Sequence, residues 1–156
     1  MDNKLSKIKK IIKTYKDIDG DFWFYEGNDL IYEILDTFDE IEWENLKLDL
    51  NNLKDYEHSI FSRVILSYDT DRIVDKVDVY EIFFTEFVLL SDLDDADCLL
   101  QDIMYLKNIR KPKLDLLEKV KEKIKILKNF KETINDQNMF LFAENTVEEV
   151  IKKHYR

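Results

Sequence analysis

The sequence is poor in the residues that make turns. Its 156 residues include two glycines, Gly20 and Gly27, and one proline, Pro112. A mostly β protein of this length needs many more turn residues, so this scarcity favours helices. The same scarcity excludes a glycine-rich phosphate-binding loop in its usual form. With 45% apolar residues the chain can bury a core, and its length fits a single domain over residues 1–156.

Residues that commonly carry chemistry are also few. The single cysteine, Cys98, excludes an intramolecular disulfide and a multi-cysteine metal site. Its apolar surroundings, ADCLLQDIMYL, predict a small buried thiol. The two histidines form no zinc motif, and we place His58 at the edge of a helix and His154 in a frayed chain end. Nucleophile-elbow and kinase motifs are missing as well, so we expect no enzyme, no cofactor and no metal site.

Long hydrophobic runs are missing too. No run approaches the roughly 20 apolar residues that cross a bilayer. The basic start, MDNKLSKIKKIIKTYK, lacks the continuous apolar core of a signal peptide. We therefore expect a soluble, cytoplasmic protein without membrane contacts.

Apolar residues recur at three- and four-residue steps along most of the chain, which is typical of helices. We expect Asn28 or Asp29 to cap the second helix and Asp92 or Ser91 the sixth, and we place Trp43 on a buried stripe. The β-branched and aromatic content of 70–90 leaves a strand open there. The spacings predict an all-α domain of seven or eight helices, arranged as stacked hairpins of a short α-solenoid or as an irregular bundle. The predicted helices span residues 5–15, 30–38, 43–53, 60–68, 70–90, 93–106, 112–134 and 146–155. The last of them follows a weaker helical pattern over 135–145.

An internal duplication is predicted at a spacing of 53 residues. Residues 30–54 align with residues 83–107, and the matches include acidic positions: Glu33 with Glu86, and Asp39 with Asp92. Apolar matches between amphipathic helices are common, whereas matched acids at helix corners are less so. The pattern is compatible with repeated helical hairpins, each burying its face on the next.

The stretch YKDIDGDFWFYE, residues 15–26, follows the outline of an EF-hand calcium loop. Asp17, Asp19, Gly20 and Glu26 fall on loop positions three, five, six and twelve. Tyr15 replaces the carboxylate of position one, so we expect no metal there, although a degenerate calcium-binding protein remains the least favoured alternative. We expect a turn at Asp19 and Gly20, followed by an aromatic run, residues 22–25, packed under the first helices. The acidic stretch DLDDADC, from Asp92, lacks both the glycine and the terminal glutamate of such a loop.

Charge is distributed unevenly. Residues 17–102 contain 25 acidic and five basic side chains, whereas residues 1–16 and 103–156 each carry a net charge of +5. Such an acidic segment steers and holds a basic partner, and it repels phosphate, which argues against direct nucleic-acid binding. A solvated acidic surface is the alternative interpretation.

The stretch FDEIEWENLKLDLNNL, Phe38 to Leu53, resembles the helical hairpins of small immunity proteins from bacterial polymorphic-toxin systems, including contact-dependent growth inhibition. An acidic turn is followed by Trp43, with Leu46 and Leu50 three and seven residues on. The resemblance extends over residues 28–108. It implies an all-helical cytoplasmic inhibitor of a cognate toxin, often a nuclease with a basic active-site cleft.

These observations predict a non-enzymatic immunity protein that neutralises a basic toxin. An adaptor that docks a basic protein without inhibiting it is the alternative, and a neighbouring toxin gene would distinguish the two. In a stack of hairpins, equivalent corners lie along one edge. We therefore predict one continuous partner-binding rim formed by Glu40, Glu42, Glu44, Asp92, Asp94, Asp95 and Asp97.

Overall fold

The computed structural model describes residues 3–71, 77–106, 109–130 and 134–156, and within these ranges the chain is all-helical. Its elements are α1 Lys4–Tyr15, α2 Gly20–Phe22, a π turn Trp23–Gly27, α3 Asn28–Leu35, α4 Glu40–Asp49, a 3-10 turn Leu50–Asn52, α5 Asp55–Asp71, α6 Val79–Leu89, α7 Leu93–Met104, α8 Leu114–Phe130 and α9 Ile134–Tyr155. Because α2, the π turn and α3 run on without a break, these are eight helical segments. The prediction of an all-α domain with seven or eight helices is confirmed. None of the helices in the described ranges is long and apolar enough to cross a membrane.

Helix starts are fixed by short acidic or amide side chains. Asp39 and Glu42 form a reciprocal capping box at the start of α4, in which each carboxylate accepts the other residue's backbone N–H. Asp78 caps α6 and Asp92 caps α7, the latter as predicted. Each of these carboxylates satisfies N–H groups that the first helical turn leaves without a partner. The signals for these three helix starts therefore lie in the adjacent residues of the sequence.

The most hydrophobic helix, α6, lies at the centre of the fold. Val79, Ile82, Phe83, Phe84 and Phe87 are all fully buried. The helix packs against α5 on one side and α8 on another. None of residues 79–89 is exposed, although five of them are half-buried. Residues 79–89 thus form a helix and not the alternative strand, while residues 72–76 lie outside the described part of the chain.

Two helix pairs stack on each other to make the core. One pair is α5 with α6, the other is α8 with α9, and they meet through α6 and α8. Helix α7 covers α9, while α1 and α3 pack on α5. The internal duplication stays a prediction: its two segments place Asp39 and Asp92 at equivalent helix caps, but Glu33 is exposed where Glu86 is buried.

The last helix is longer than predicted. Helix α9 is continuous over Ile134–Tyr155, whereas the sequence pattern assigned only residues 146–155. Phe140, Ala143 and Val147 form a buried stripe at three- and four-residue steps. Leu141 and Phe142, 52% and 58% exposed, hide this stripe in the sequence because they make a continuous apolar run.

The segment that resembles a calcium loop is mostly helical. Helix α1 ends at Tyr15 and α2 begins at Gly20, with Asp19 as its N-cap. The π turn then carries the chain directly into α3, so the prediction that Asn28 or Asp29 caps a new helix is wrong. The aromatic run is only partly packed: Phe24 and Tyr25 are 74% and 71% exposed.

Trp43 is buried, as predicted. Its side chain is only 2% exposed, and its ring centroid lies 5.1 Å from that of Phe38 and 6.1 Å from that of Tyr68. These contacts anchor α4 to the core, although the same helix exposes Leu48. Trp43 and Leu46 are the two buried residues of α4, and Trp43 is the larger of them.

We expect Trp43→Ala to lower the free energy of unfolding by about 3–5 kcal/mol, because it leaves a large cavity. Leu48→Ala, on the exposed face of α4, should change it by less than about 0.5 kcal/mol. Urea unfolding followed by circular dichroism measures both. Equal midpoints for Trp43→Ala and the wild type would mean that Trp43 does not anchor α4.

The two glycines allow a matched test of the π turn. A Cβ on Gly27 would lie 2.6 Å from Trp23 Cε3 and 2.9 Å from Phe22 Cε1, whereas a Cβ on Gly20 meets nothing within 4 Å. We expect Gly27→Ala to destabilise by about 1–3 kcal/mol and Gly20→Ala to stabilise by about 0.4–1 kcal/mol. Thermal unfolding of both variants checks the prediction. The reverse order would contradict the close packing of the π turn.

Candidate functional site

Carboxylates from two helices meet at the start of α7. Asp92 accepts hydrogen bonds from the backbone N–H groups of Asp94 and Asp95, both at 3.0 Å. Asp55, at the start of α5, accepts from the N–H and the hydroxyl of Ser91 and from the N–H of Asp92, at 3.1, 2.6 and 3.0 Å. We call the group Asp55, Asp92, Asp94, Asp95 and Asp97 the α7 corner. The sequence did not predict this role of Asp55, which lies 37 positions before the N-cap Asp92 whose N–H it binds.

The electrostatics of the α7 corner show crowded negative charge. The hydrogen bond from Ser91 holds the pKa of Asp55 below its usual range. The pKa of Asp95 is raised, first by partial burial and then by the neighbouring charges of Asp92 and Asp55, against the opposite influence of Arg63. The nearby cation thus does not remove the repulsion that Asp95 experiences.

The structure brings the four predicted α7 residues together within the corner. Asp92 and Asp94 are exposed, while Asp95 and Asp97 are half-buried. Cys98, predicted to be buried, is exposed beside them. It faces outward because Ala96, Leu99 and Leu100 occupy the buried positions of α7. The α7 corner is therefore an accessible acidic surface whose backbone is fixed by Asp55 and Asp92.

The other predicted cluster, at the start of α4, is more fully used by the fold. Glu42 belongs to the capping box and forms an ion pair with Lys4 of α1 at 2.7 Å, which lowers its pKa. Glu44 pairs with Lys47 at 2.8 Å, and Glu40 is exposed. This cluster contacts α1 through Glu42, whereas the α7 corner contacts α5 through Asp55. One continuous rim through both clusters stays a prediction.

A buried acid–base pair lies in the core, where sequence analysis did not place one. His58 is buried rather than at a helix edge, and its Nδ1 contacts the Oε2 of Glu86. Burial raises the pKa of Glu86 to about 7, although the contact with His58 works in the opposite direction. His154 lies within α9, not in a frayed end. Nothing in the sequence around His58 or Glu86 signals their contact, since they lie 28 positions apart.

His58 and Glu86 are residue types that form catalytic acid–base dyads, but their surroundings are not those of an active site. Both side chains are almost completely buried. Neither lines any of the three cavities described in this part of the chain. General acid–base chemistry requires a substrate within hydrogen-bond reach. The pair therefore acts on the stability of the core.

No group of three or more histidine, cysteine, aspartate or glutamate residues in the described ranges could hold a metal ion. In the calcium-like segment, Asp19 uses its carboxylate to accept a hydrogen bond from Phe22 N–H at 3.1 Å. A twelve-residue calcium loop is not formed there, because residues 20–26 are already helical.

Comparison with protein-family models, with curated proteins and with solved structures gave no match for this chain.

The raised pKa of Glu86 predicts a pH-dependent stability. The folded protein keeps this proton up to about pH 7, whereas the unfolded chain releases it near its ordinary pKa of 4.5. The contribution of this carboxyl to stability is thus fully present below pH 4.5 and is lost as the pH rises through about 7. The neutral variant Glu86→Gln removes this dependence.

We expect Glu86→Gln to gain on the order of 2–3 kcal/mol relative to the wild type between pH 5 and pH 8. Urea unfolding at both pH values measures the difference. Glu33→Gln, at an exposed position of α3, should show no such change. A difference between Glu86→Gln and the wild type that stays constant with pH would mean that Glu86 keeps one protonation state throughout.

Proposed function

We propose that this chain is a non-enzymatic immunity protein, which binds and neutralises a basic bacterial toxin through its acidic surface. The observation that carries the proposal is the α7 corner. Asp55 and Asp92 satisfy the N–H groups of the helix start, and Asp94, Asp95 and Asp97 add charge beyond what that capping requires. Asp95, whose pKa is raised by partial burial and by the charges of Asp92 and Asp55, is therefore a candidate for binding a partner.

The sign of the charge favours a basic protein as the partner. The segment 17–102 has 25 acidic and five basic residues, and the α7 corner lies within it. A negative surface repels the phosphates of nucleic acids and of anionic membranes. It accelerates the encounter with a positively charged protein and aligns the two surfaces. A toxin with a basic active-site cleft, such as a nuclease, fits this requirement.

The proposal predicts rescue from a toxin encoded next to this chain. The gene immediately upstream is expressed from an inducible promoter in a bacterial host, with and without this chain. We expect growth arrest without the chain and normal growth with it. A toxic neighbour that this chain binds but does not neutralise would contradict immunity and favour the adaptor, and a neighbour without toxicity would do the same.

Asp95→Asn gives a sharper test at the residue level. We expect the association rate constant with the toxin to fall several-fold at low salt, and the difference from wild type to shrink as salt screens charge. The stability of the free variant should not fall, because the substitution removes repulsion at Asp95. Stopped-flow kinetics at several ionic strengths and urea unfolding provide the two readouts.

Asp115→Asn is the matched control, since Asp115, like Asp95, lies in the first turn of a helix, α8, but is exposed and outside the acidic segment. Its association rate should equal that of the wild type. Glu42 is unsuitable for this purpose because its replacement would break the capping box of α4. If the association rate constant changes neither with salt concentration nor with Asp95→Asn, the partner binds away from the α7 corner.

A further inference from the structure

Two neighbouring aromatic side chains project from the π turn. Phe24 and Tyr25 are 74% and 71% exposed, and their ring centroids lie 5.0 Å apart in an edge-to-face arrangement. Single exposed apolar residues are normal on protein surfaces, whereas adjacent aromatic rings form a patch. Exposed aromatic side chains of this kind often anchor protein interfaces.

A cavity adjoins this aromatic pair. It has a volume of about 260 Å³ and is lined by the apolar side chains of Trp23, Phe24 and Ile60, with Asn28, Ser59 and Arg63 among its polar walls. Pockets for whole small molecules measure about 300–1,000 Å³. The cavity is therefore suited to one or two side chains of another protein rather than to a complete ligand.

The segment that carries the aromatic pair is acidic, although Arg63 of α5 lies at the wall of the adjoining cavity. Residues 17–29 contain no lysine or arginine, and all five of their carboxylates are exposed: Asp17, Asp19, Asp21, Glu26 and Asp29. Asp17 is partly neutralised by Lys16 at 3.0 Å, and Asp19 caps α2. Asp21, Glu26 and Asp29 extend along the same helical segment as the two rings.

The backbone is shaped to present these rings. A π turn adds one residue per turn and rotates the side chains that follow it, and such turns occur often at functional sites. Gly27 is buried against Trp23 and has no room for a Cβ. Trp23 is half-buried and forms a wall of the cavity, whereas the next two residues, Phe24 and Tyr25, are exposed.

A larger groove, of about 620 Å³, lies between α1 and α4, but its charges cancel. Lys4 and Lys7 face Glu42 and Asp49 across it, and Lys4 is already paired with Glu42. It therefore offers no charge by which to choose a partner. The exposed pair Leu141 and Phe142 on α9 adjoins none of the three described cavities.

We propose that Phe24 and Tyr25, the adjoining cavity and the flanking carboxylates of residues 17–29 form a docking surface for a lysine- or arginine-rich protein segment. We call it the aromatic surface. An apolar side chain of the partner enters the cavity against Trp23 and Ile60, and its basic neighbours contact Asp21 and Glu26. The charge of the surface selects a basic partner, and the desolvated rings supply most of the affinity. This inference does not depend on the partner being a toxin.

The test uses the full chain and a random 12-residue peptide library. Peptides selected on the immobilised wild-type protein should be enriched in lysine or arginine next to a bulky apolar residue. In calorimetry, the best synthetic peptide should lose at least tenfold in affinity for Phe24→Ala/Tyr25→Ala. It should bind Leu141→Ala/Phe142→Ala, the matched control pair, as it binds the wild type.

A second readout locates the peptide. The protein has two tryptophans, of which Trp43 is buried and Trp23 is half-buried at the cavity. Acrylamide quenching of tryptophan fluorescence therefore reports mainly on Trp23, and the peptide should reduce it. A peptide with its basic residues changed to glutamate should neither bind nor protect Trp23.

Enrichment of acidic or neutral peptides, absence of enrichment, or equal binding to both double variants would overturn the proposal. Protection of Trp23 by the glutamate peptide would overturn it as well. These outcomes are separate from the test of immunity. If basic peptides bind here while the upstream gene encodes no toxin, the aromatic surface stands and immunity fails.

Discussion

A helix that buries most of its residues and exposes none has to be covered by several other helices, and α6 is such a helix. Its apolar side chains bring α5 and α8 together, and those helices in turn position α1, α3, α7 and α9. The constraint also explains the buried polar pair. Glu86 occupies a turn of α6 that faces α5, so its carboxylate has to find a partner inside the core, and His58 on α5 is that partner. A pair of this kind narrows the ways in which α5 and α6 can align.

Charge is the second constraint. The two basic ends of the chain reach back to the acidic middle through Lys4–Glu42, Lys9–Glu57 and Lys113–Glu81 ion pairs, at 2.7, 3.9 and 3.5 Å. Lys123 on α8 donates to the carbonyl oxygen of Leu90, just before the α7 corner. Exposed pairs contribute little each, about 0–1 kcal/mol. Their distribution nevertheless lowers the repulsion within the acidic segment, and it leaves the α7 corner and the π turn as places where negative charge faces solvent.

The sequence predicts the features that depend on neighbouring residues. Apolar spacing locates the helices, and Asp92 is recognisable as a cap, because both signals lie within one or two turns. Contacts across the fold are not visible in this way: Asp55 accepts a hydrogen bond from the N–H of Asp92, 37 residues away, and His58 contacts Glu86 on another helix. The exposure of Phe24 and Tyr25 was not predicted from the sequence either, because the 3.6-residue period of a regular helix does not hold in a π turn.

The two proposed surfaces are linked through Arg63. This side chain, on α5, lies 3.8 Å from Asp102 of α7, opposes the rise in the pKa of Asp95, and also lines the cavity beside Phe24. The α7 corner and the aromatic surface therefore border the same stretch of α5. Acidic residues at a rim guide a partner during its approach, whereas aromatic rings at a centre resist its departure. A partner that covers both sides of Arg63 would be steered by the corner and held by the rings, which assigns each surface a different step of one binding event.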